Sequence, residues 1–141
     1  MSVSYEELVG LAIEARKSAY TPYSKFKVGA ALLTEDGRVI KGCNIENAAY
    51  GPTNCAERTA FFKAVSEGIM NFKAIAIVGG DESEIDEFSN YAYPCGVCRQ
   101  VMREFCSGNF EIIVGKSVKE FKVFTLDELL PCGFGPENLL K

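Results

Sequence analysis

Hydrophobic positions near the start of the chain repeat with the period of a helix. The apolar residues that fall on one helix face are Leu8, Leu11, Ala12 and Ala15. Ser4 precedes them and Glu7 follows it by three positions, the spacing at which a hydroxyl and a carboxylate cap a helix start reciprocally. We therefore predict a first helix that begins after Ser4 and runs to about Ala19.

The pattern then changes to two extended segments. Lys27–Leu33 and Val39–Cys43 are rich in apolar residues, and Asp36-Gly37 stands between them. An Asp-Gly pair between two such segments is a strong signal for a tight hairpin turn. The two segments are therefore predicted to be neighbouring antiparallel strands.

Helical and extended segments alternate through the rest of the chain. Predicted helices cover Cys55–Glu67 and Cys95–Cys106, and predicted strands cover Ala74–Val78, Glu111–Val114 and Phe121–Thr125. Two longer connections are predicted to be loops, Asn44–Thr53 and the acidic segment Gly79–Pro94. Helices that alternate with strands favour a layered α/β fold over a helical bundle or a β-sandwich. We predict that residues 1–141 form one domain of this class, with a short helical piece in its tail.

Composition and charge narrow the range of functions. The chain has a net charge of −4 and no run of Lys and Arg, so general binding to nucleic acid is not expected. No apolar run is long enough to span a bilayer, and the N-terminal residues lack the basic and apolar regions of a signal peptide. We therefore predict a cytoplasmic protein that binds neither nucleic acid nor membrane.

The cysteines and the missing histidines point to one kind of chemistry. Six cysteines would allow three disulfides in a secreted protein, but in a reducing compartment a Cys-x-x-Cys pair is more often a metal or redox motif. The chain contains no histidine, which excludes Ser-His-Asp triads, Cys-His proteases and histidine-ligated zinc enzymes. Proton transfer near neutral pH must then use another group, such as a carboxylate.

Three cysteines define a candidate zinc site. Cys55 begins the second predicted helix, and Cys95 and Cys98 begin the third with the spacing of about one helical turn. The positive ends of two helices would favour the thiolate forms of these ligands. A structural zinc site needs four protein ligands, whereas a catalytic site has three and leaves a position for water. The alternatives are a redox pair, half of a zinc knuckle, or a structural clamp with Cys43 or Cys132 as fourth ligand.

Glu57 lies two positions after Cys55 and provides a candidate proton carrier. At the open end of a helix, its carboxylate would reach the water that three thiolates leave on the metal. It would take a proton from this water and pass it to a nitrogen of the substrate, as the carboxylate does in zinc deaminases of nucleobases. Arg58 would donate hydrogen bonds to the sulfurs and offset their negative charge.

Five segments that together span nearly the whole chain form a set of motifs. They are Tyr20–Ala31, Gly42–Tyr50, Cys55–Arg58, Pro94–Gln100 and Leu129–Phe134. In order, they resemble the N-terminal signature, the ribose-binding segment, the two zinc motifs and the C-terminal signature of the small, homotetrameric cytidine deaminases. The resemblance implies a three-layer α/β/α fold with a five-stranded mixed sheet. It also implies hydrolytic deamination of cytidine and 2′-deoxycytidine in pyrimidine salvage, by attack of a zinc-bound hydroxide at C4 with release of ammonia.

The same resemblance implies roles for the residues of the metal motifs. One Zn²⁺ per subunit would be bound by Cys55, Cys95 and Cys98. Glu57 would be the proton shuttle. Arg58 and Gln100 would support these groups from behind the ligands.

Substrate contacts are implied in the same way. Asn44 and Glu46 would bind the ribose 3′-hydroxyl, Phe26 would stack on the pyrimidine, and the backbone near Ala56 and Cys95 would bind the edge of the base. Two further residues would reach into the site of a neighbouring subunit, Tyr50 and Phe134. On the sequence pattern alone these residues have other readings, because an aromatic residue beside a strand is more often in the core and polar residues in an Asn-rich loop are more often solvated.

The chain departs from the family pattern at Tyr93, which stands where serine usually precedes Pro-Cys, and in the acidic segment Gly79–Pro94, which is longer than usual. Blasticidin-S-type deaminases share the zinc motifs and are the alternative within enzymes, but the Asn44-Ile-Glu46 segment favours cytidine.

The remaining cysteines have no role that spacing indicates, and we predict buried free thiols at Cys43, Cys106 and Cys132.

Overall fold

The computed structural model describes residues 2–140 of the chain. Its helices are α1 (Tyr5–Arg16), α2 (Ala56–Ser66), α3 (Gly96–Phe105) and α4 (Leu126–Leu129), and a 3₁₀ helix covers Pro136–Asn138. Its strands are β1 (Phe26–Thr34), β2 (Val39–Cys43), β3 (Phe72–Asp81), β4 (Glu111–Ser117) and β5 (Glu120–Thr125). The predicted order of helices and strands is confirmed.

The five strands form one mixed sheet in the order β2-β1-β3-β4-β5. All neighbours pair antiparallel except β3 and β4, which are parallel because α3 carries the chain back between them. The hairpin between β1 and β2 turns at Asp36-Gly37 as predicted, and Gly37 has a φ of 92°, which favours glycine. The predicted five-stranded mixed sheet is therefore confirmed.

A buried core lies on each face of this sheet. On one face, α1 packs against strand residues that include Leu33 and Ile113. On the other face, α2 and α3 cover residues that include Leu32 and Ile112. Because side chains alternate between the two faces of a strand, neighbouring residues of β1 and β4 supply both cores. The predicted three-layer α/β/α arrangement follows.

Two glycines let the helices approach the sheet closely. A Cβ atom on Gly29 of β1 would collide with the carbonyl oxygen of Ala12 in α1. A Cβ atom on Gly42 of β2 would lie 2.5 Å from the carbonyl oxygen of Ala56 in α2. Interiors are close-packed, so a larger residue at either position would push its helix away from the sheet. Gly42 therefore sets the distance between the first turn of α2 and the sheet.

Arg16, the last residue of α1, holds together the ends of two strands. Its buried guanidinium donates hydrogen bonds to the carbonyl oxygen of Lys27 in β1 (2.9 Å) and to those of Gly80 (2.9 Å) and Asp81 (2.6 Å) in β3. It also lies 4.7 Å from the ring centroid of Phe88, in the loop that follows β3. These contacts fix the end of the sheet at which β1 begins and β3 ends.

The predicted ends of α1, β3 and β4 are each wrong by three residues, and β4 continues to Ser117 rather than Val114 because Gly115 and Ser117 still pair with β5. Helix α1 ends at Arg16 rather than Ala19, because the following residues turn so that the backbone N–H of Tyr20 donates to the carbonyl oxygen of Asn44 (3.0 Å). Strand β3 continues to Asp81, so the loop begins three residues later than predicted. Gly79 and its successor remain in the strand because both pair with β1.

The structure leaves all six cysteines free, and three of them lie outside the candidate site. Cys106 is buried and Cys43 is half-buried. Cys132 is exposed, so the prediction that it is buried is wrong, because the segment after α4 contributes nothing to either core at this residue. Within residues 2–140, no helix has the length and hydrophobicity needed to cross a bilayer.

Candidate metal centre and active site

Two helix starts converge on one point. Cys55 is the N-cap residue of α2 and Cys95 is the N-cap residue of α3. Cys98 lies in the first turn of α3, and its backbone N–H donates to the sulfur of Cys95 (3.4 Å). Both helices therefore direct their positive ends at the sulfurs, as the sequence predicted.

The three sulfurs form a compact cluster. All lie within 4.8 Å of one another, and those of Cys55 and Cys95 are 3.8 Å apart. Among residues 2–140, no fourth Cys, Asp or Glu joins them in a metal-binding group. This grouping disfavours the alternative of a structural clamp with Cys43 or Cys132 as fourth ligand. Three ligands are the number found in catalytic zinc sites.

The ionisation of this cluster shows that it suits a cation. Hydrogen bonds from the Cys98 thiol and then from Arg58 lower the pKa of Cys55 to about 5. The neighbouring Cys55 sulfur and burial raise the pKa of Cys98. One thiolate therefore forms readily and hinders the next, whereas a divalent ion between the sulfurs would stabilise all three. Sulfur donors in this number fit Zn²⁺.

Glu57 is buried beside the sulfurs. It lies in the first turn of α2, and only 4% of its surface is exposed. Burial raises its pKa to about 7, and the negative charge of Cys55 adds to the effect. A carboxyl group whose two forms are close in free energy at neutral pH is suited to accepting and donating a proton.

Arg58 lies against the ligands from the helix side. Its Nη2 donates a hydrogen bond to the sulfur of Cys55 (3.3 Å), and this contact raises the pKa of Arg58. Gln100, expected in a similar role, instead donates from its Nε2 to the carbonyl oxygen of Phe134 (2.8 Å) and so holds the C-terminal segment.

A cavity of about 280 Å³ opens beside the cluster. It is lined by Phe26, Val28, Asn44, Thr53, Asn54, Cys55, Ala56, Glu57, Ile77, Ala92, Tyr93 and Cys95. The structure thus brings together four of the predicted substrate and catalytic residues with two of the predicted ligands. A larger groove of about 620 Å³ lies over α1, but its lining includes none of the three sulfurs and carries charges of both signs.

Asn44 is oriented by the first residues of β1, and Glu46 by the segment that precedes this strand. The side-chain oxygen of Asn44 accepts from the backbone N–H of Val28 (2.8 Å), and its amide nitrogen donates to the carbonyl oxygen of Phe26 (2.9 Å). Glu46 accepts from the backbone N–H groups of Tyr23 (3.0 Å) and Ser24 (3.1 Å), and from the Ser24 hydroxyl. Only Asn44 lines the cavity beside the sulfurs.

The remaining predicted contacts lie further out. Glu46 and Tyr50 line an adjoining cavity of about 400 Å³, which shares Thr53 with the first. Tyr50 is 87% exposed and Phe134 is 57% exposed. Neither side chain lines the cavity that contains Glu57.

Sequence reasoning missed several residues of the site. It assigned no role to Ala92, which lines the cavity, or to Tyr23 and Ser24, whose N–H groups orient Glu46. Tyr23 and Ser24 were included only in the N-terminal signature Tyr20–Ala31, and the isolated bridge between Tyr20 and Ile45 brings their segment beside Glu46. Local sequence carries no signal for such a contact.

The chain is similar to known proteins along most of its length. Residues 2–114 match the family model described as the cytidine and deoxycytidylate deaminase zinc-binding region. The chain is 50% identical over 134 residues to the cytidine deaminase of Sporosarcina psychrophila, covering 95% of this chain and 93% of the relative. It is 36% identical to the blasticidin-S deaminase of Bacillus cereus, covering 89% and 88%.

Solved structures give the same result. The crystal structure of cytidine deaminase from Burkholderia pseudomallei matches with a TM-score of 0.83 and 45% identity, covering 93% of this chain and 99% of that one. The cytidine deaminase structure from Mycobacterium tuberculosis matches with a TM-score of 0.77 and 38% identity, covering 96% and 100%. The protein that has this layered fold and this cluster of three sulfurs is therefore similar to both cytidine deaminases along most of its length.

Proposed function

Because the chain belongs to the cytidine and deoxycytidylate deaminase family, we propose that it hydrolyses cytidine and 2′-deoxycytidine to uridine and 2′-deoxyuridine, with release of ammonia. The observation that carries this proposal is the burial of Glu57 in the cavity that also contains Cys55 and Cys95. A buried carboxylate beside sulfur ligands is costly and serves no purpose in a purely structural zinc site. It is needed in a hydrolase that must move protons.

The metal would be held by Cys55, Cys95 and Cys98. When bound, Zn²⁺ supplies Lewis-acid activation of water near neutral pH. Three thiolates exceed the charge of the ion by one, and the Arg58 guanidinium beside Cys55 offsets that excess.

Glu57 would carry protons between the attacking water and the base. As a carboxylate it accepts a proton from the water whose oxygen bonds to C4. As an acid it donates that proton to N3. It then accepts the remaining water proton from the new hydroxyl on C4, which becomes the carbonyl, and transfers this proton to the amino nitrogen. The bond between C4 and the amino nitrogen breaks and ammonia leaves. A pKa raised to about 7 by burial keeps both forms of Glu57 accessible.

Nucleoside binding would use the rest of the cavity. Phe26 is 45% exposed at the start of β1, so its ring is free to stack on a pyrimidine. Asn44 retains one N–H and one acceptor site beyond the hydrogen bonds already described. Its amide and the Glu46 carboxylate together offer a donor and an acceptor for the ribose 3′-hydroxyl, and the backbone near Ala56 and Cys95 would bind the edge of the base.

A second copy of the chain would complete each site. Tyr50 and Phe134 are aromatic, exposed and outside the protomer's own cavity, and Gln100 fixes the backbone of Phe134. These features support a homotetramer whose sites are shared between subunits.

Six free thiols are typical of a protein in a reducing compartment, which supports a cytoplasmic location.

The test of the reaction is the loss of cytidine absorbance with purified protein. We expect turnover that a chelator abolishes and that added Zn²⁺ restores. Blasticidin S, measured in parallel, is expected to react far more slowly because its sugar lacks the 3′-hydroxyl that Asn44 and Glu46 would bind. Turnover of blasticidin S without turnover of cytidine would contradict the proposal.

Shared sites can be tested by co-expressing two inactive variants. Glu57→Gln removes the proton carrier from one subunit, and Phe134→Ala removes the aromatic ring that another subunit would supply. If sites are shared, mixed assemblies contain some sites with Glu57 and Phe134 both intact, and activity reappears. Co-expression that yields mixed assemblies by mass spectrometry but no activity would contradict sharing.

A further inference from the structure

Tyr93 lines the cavity two residues before the ligand Cys95, and the proposed reaction gives it no role. We propose that Tyr93 determines substrate specificity: its ring closes the cavity beside the reacting edge of the base and excludes pyrimidines that carry a substituent on C5. The inference rests on the proposed deamination of cytidine and concerns which cytidines are accepted.

The backbone on both sides of Tyr93 is held in place. A Cβ atom on Gly79 would lie 2.9 Å from the Cβ of Ala92 and 3.2 Å from the ring of Phe26, so Ala92 is packed directly onto β3. After Tyr93, the carbonyl oxygen of Pro94 accepts a hydrogen bond from Nε of Arg99 (2.8 Å). The backbone of Tyr93 therefore lies between two fixed points, and its side chain, 46% exposed, stands at the rim of the cavity.

Its ring is supported by two further aromatic rings. The ring of Phe124 in β5 meets it edge-on, with centroids 5.9 Å apart and planes at 63°. The ring of Tyr91 lies 6.2 Å away at 49°. Both geometries are favourable for aromatic pairs, and they stabilise one position of the Tyr93 ring.

Tyr91 is itself held by charges from the β4–β5 hairpin. The ammonium groups of Lys116 and Lys122 lie 4.8 Å and 4.7 Å from its ring centroid, within the range of cation–π attraction. The Tyr93 wall is therefore backed, ring by ring, by the sheet.

The position of Tyr93 selects the part of the substrate that it would meet. The reacting C4 must lie near Glu57 and the sulfurs, and Asn44 marks the sugar end of the same cavity. Tyr93 adjoins the sulfur end through Pro94 and Cys95. Because Glu57 would occupy the N3 side of C4 in the proposed reaction, we assign the Tyr93 ring to the C5 side. A group on C5 would point away from the sugar and towards the wall.

A rigid wall discriminates by excluding volume. A serine at position 93 would leave open the volume that the tyrosine ring fills, and one extra methyl group in a fitted apolar pocket commonly changes kcat/KM by roughly ten- to two-hundred-fold. We therefore expect the parent protein to discriminate against 5-methylcytidine more strongly than its Tyr93→Ser variant does.

The experiment measures kcat/KM for 5-methylcytidine divided by kcat/KM for cytidine. Because both substrates are the same for every variant, the electronic effect of the methyl group cancels between variants. Tyr93→Ser is expected to raise this ratio by roughly ten-fold or more, Tyr93→Phe to leave it unchanged, and Tyr93→Trp to lower it. The Kd of 5-methyluridine divided by the Kd of uridine, measured by calorimetry and thus without turnover, is expected to fall in Tyr93→Ser and to rise in Tyr93→Trp.

Tyr5→Ser is the matched control, since Tyr5 is an exposed tyrosine on α1 that contacts Phe121 and Glu111, away from the cavity. Its ratio is expected to equal that of the parent. Equal ratios in the parent and in both Tyr93→Ser and Tyr93→Trp, with cytidine turned over, would overturn the specificity role alone. A parent protein without cytidine turnover would instead overturn the proposed function on which the inference rests.

Discussion

Helix α1 and the two helices of the metal site begin in different ways. At α1, the Ser4 hydroxyl accepts from the backbone N–H of Glu7 (3.1 Å), and the Glu7 carboxylate accepts from the backbone N–H of Ser4 (3.1 Å). At α2, the N-cap residue Cys55 makes no capping hydrogen bond. At α3, the sulfur of Cys95 accepts a long one from Cys98.

The difference shows two uses of the same feature. Every helix start has unpaired N–H groups and a positive potential. At α1 the sequence satisfies these groups with its own side chains, which stabilises the fold. At α2 and α3 the positions that favour Ser, Thr, Asp or Asn hold cysteines, and the potential stabilises thiolates instead. The starts of α2 and α3 therefore lack the stabilisation that good capping residues would provide, and their cysteines are available as metal ligands. Substitutions at the three helix starts test this difference.

The largest effect is expected from Cys55→Ser. The variant is expected to lose zinc and all measurable deamination, because a hydroxyl is a poor replacement for a thiolate ligand. Serine is also a good N-cap residue, so the metal-free variant is expected to resist urea better than the metal-free parent by up to about 1 kcal/mol. Metal analysis and urea unfolding with a chelator check both parts, and a less stable metal-free variant would contradict the comparison.

Glu57→Gln separates chemistry from metal binding. The amide keeps the shape of the first turn of α2 but cannot accept a proton, so kcat is expected to fall roughly 10²- to 10⁴-fold. Zinc content is expected to stay that of the parent protein. Steady-state kinetics with metal analysis of the same sample checks this, and near-normal turnover would remove Glu57 from the proton pathway.

Arg58→Gln tests the support behind the sulfurs. Loss of the hydrogen bond to Cys55 and of its positive charge is expected to weaken zinc binding roughly ten- to hundred-fold, as for other groups that contact metal ligands. Competition with a chelator of known affinity measures the change. Arg38→Gln, at an exposed arginine paired with Asp36 in the β-hairpin turn, is the control and should bind zinc like the parent.

Ser4→Ala is expected to have the smallest effect and completes the comparison. Removal of the α1 cap should lower the free energy of unfolding by about 1 kcal/mol and leave kcat and KM unchanged. Urea unfolding of the zinc-loaded protein, with kinetics in the same buffer, checks both. A change in kinetics would mean that the start of α1 is coupled to the site after all.

The sequence was sufficient for elements whose cause is local. The α1 capping box and the Asp36-Gly37 turn were predicted because each signal lies within a stretch of four residues. The two cysteine motifs were placed at helix starts for the same reason.

Features with distant causes could not be predicted. Gly79 and Gly80 resemble a loop signal, yet they belong to β3 because β1 pairs with them and Arg16, more than sixty residues earlier, binds the Gly80 carbonyl. A similar case is Cys132, whose exposure depends on where the C-terminal segment lies. Such contacts depend on the assembled sheet and leave no pattern along the chain.

Gly42 has a consequence for how variants of this protein can arise. Its missing side chain lets the carbonyl of Ala56 lie against β2, and Ala56 separates Cys55 from Glu57. The residue has no chemistry of its own, yet any replacement would shift a ligand and the proton carrier together. In a library randomised at every position, we expect Gly42 to tolerate substitution as poorly as the cysteines do, so intolerance alone would not reveal which residues react.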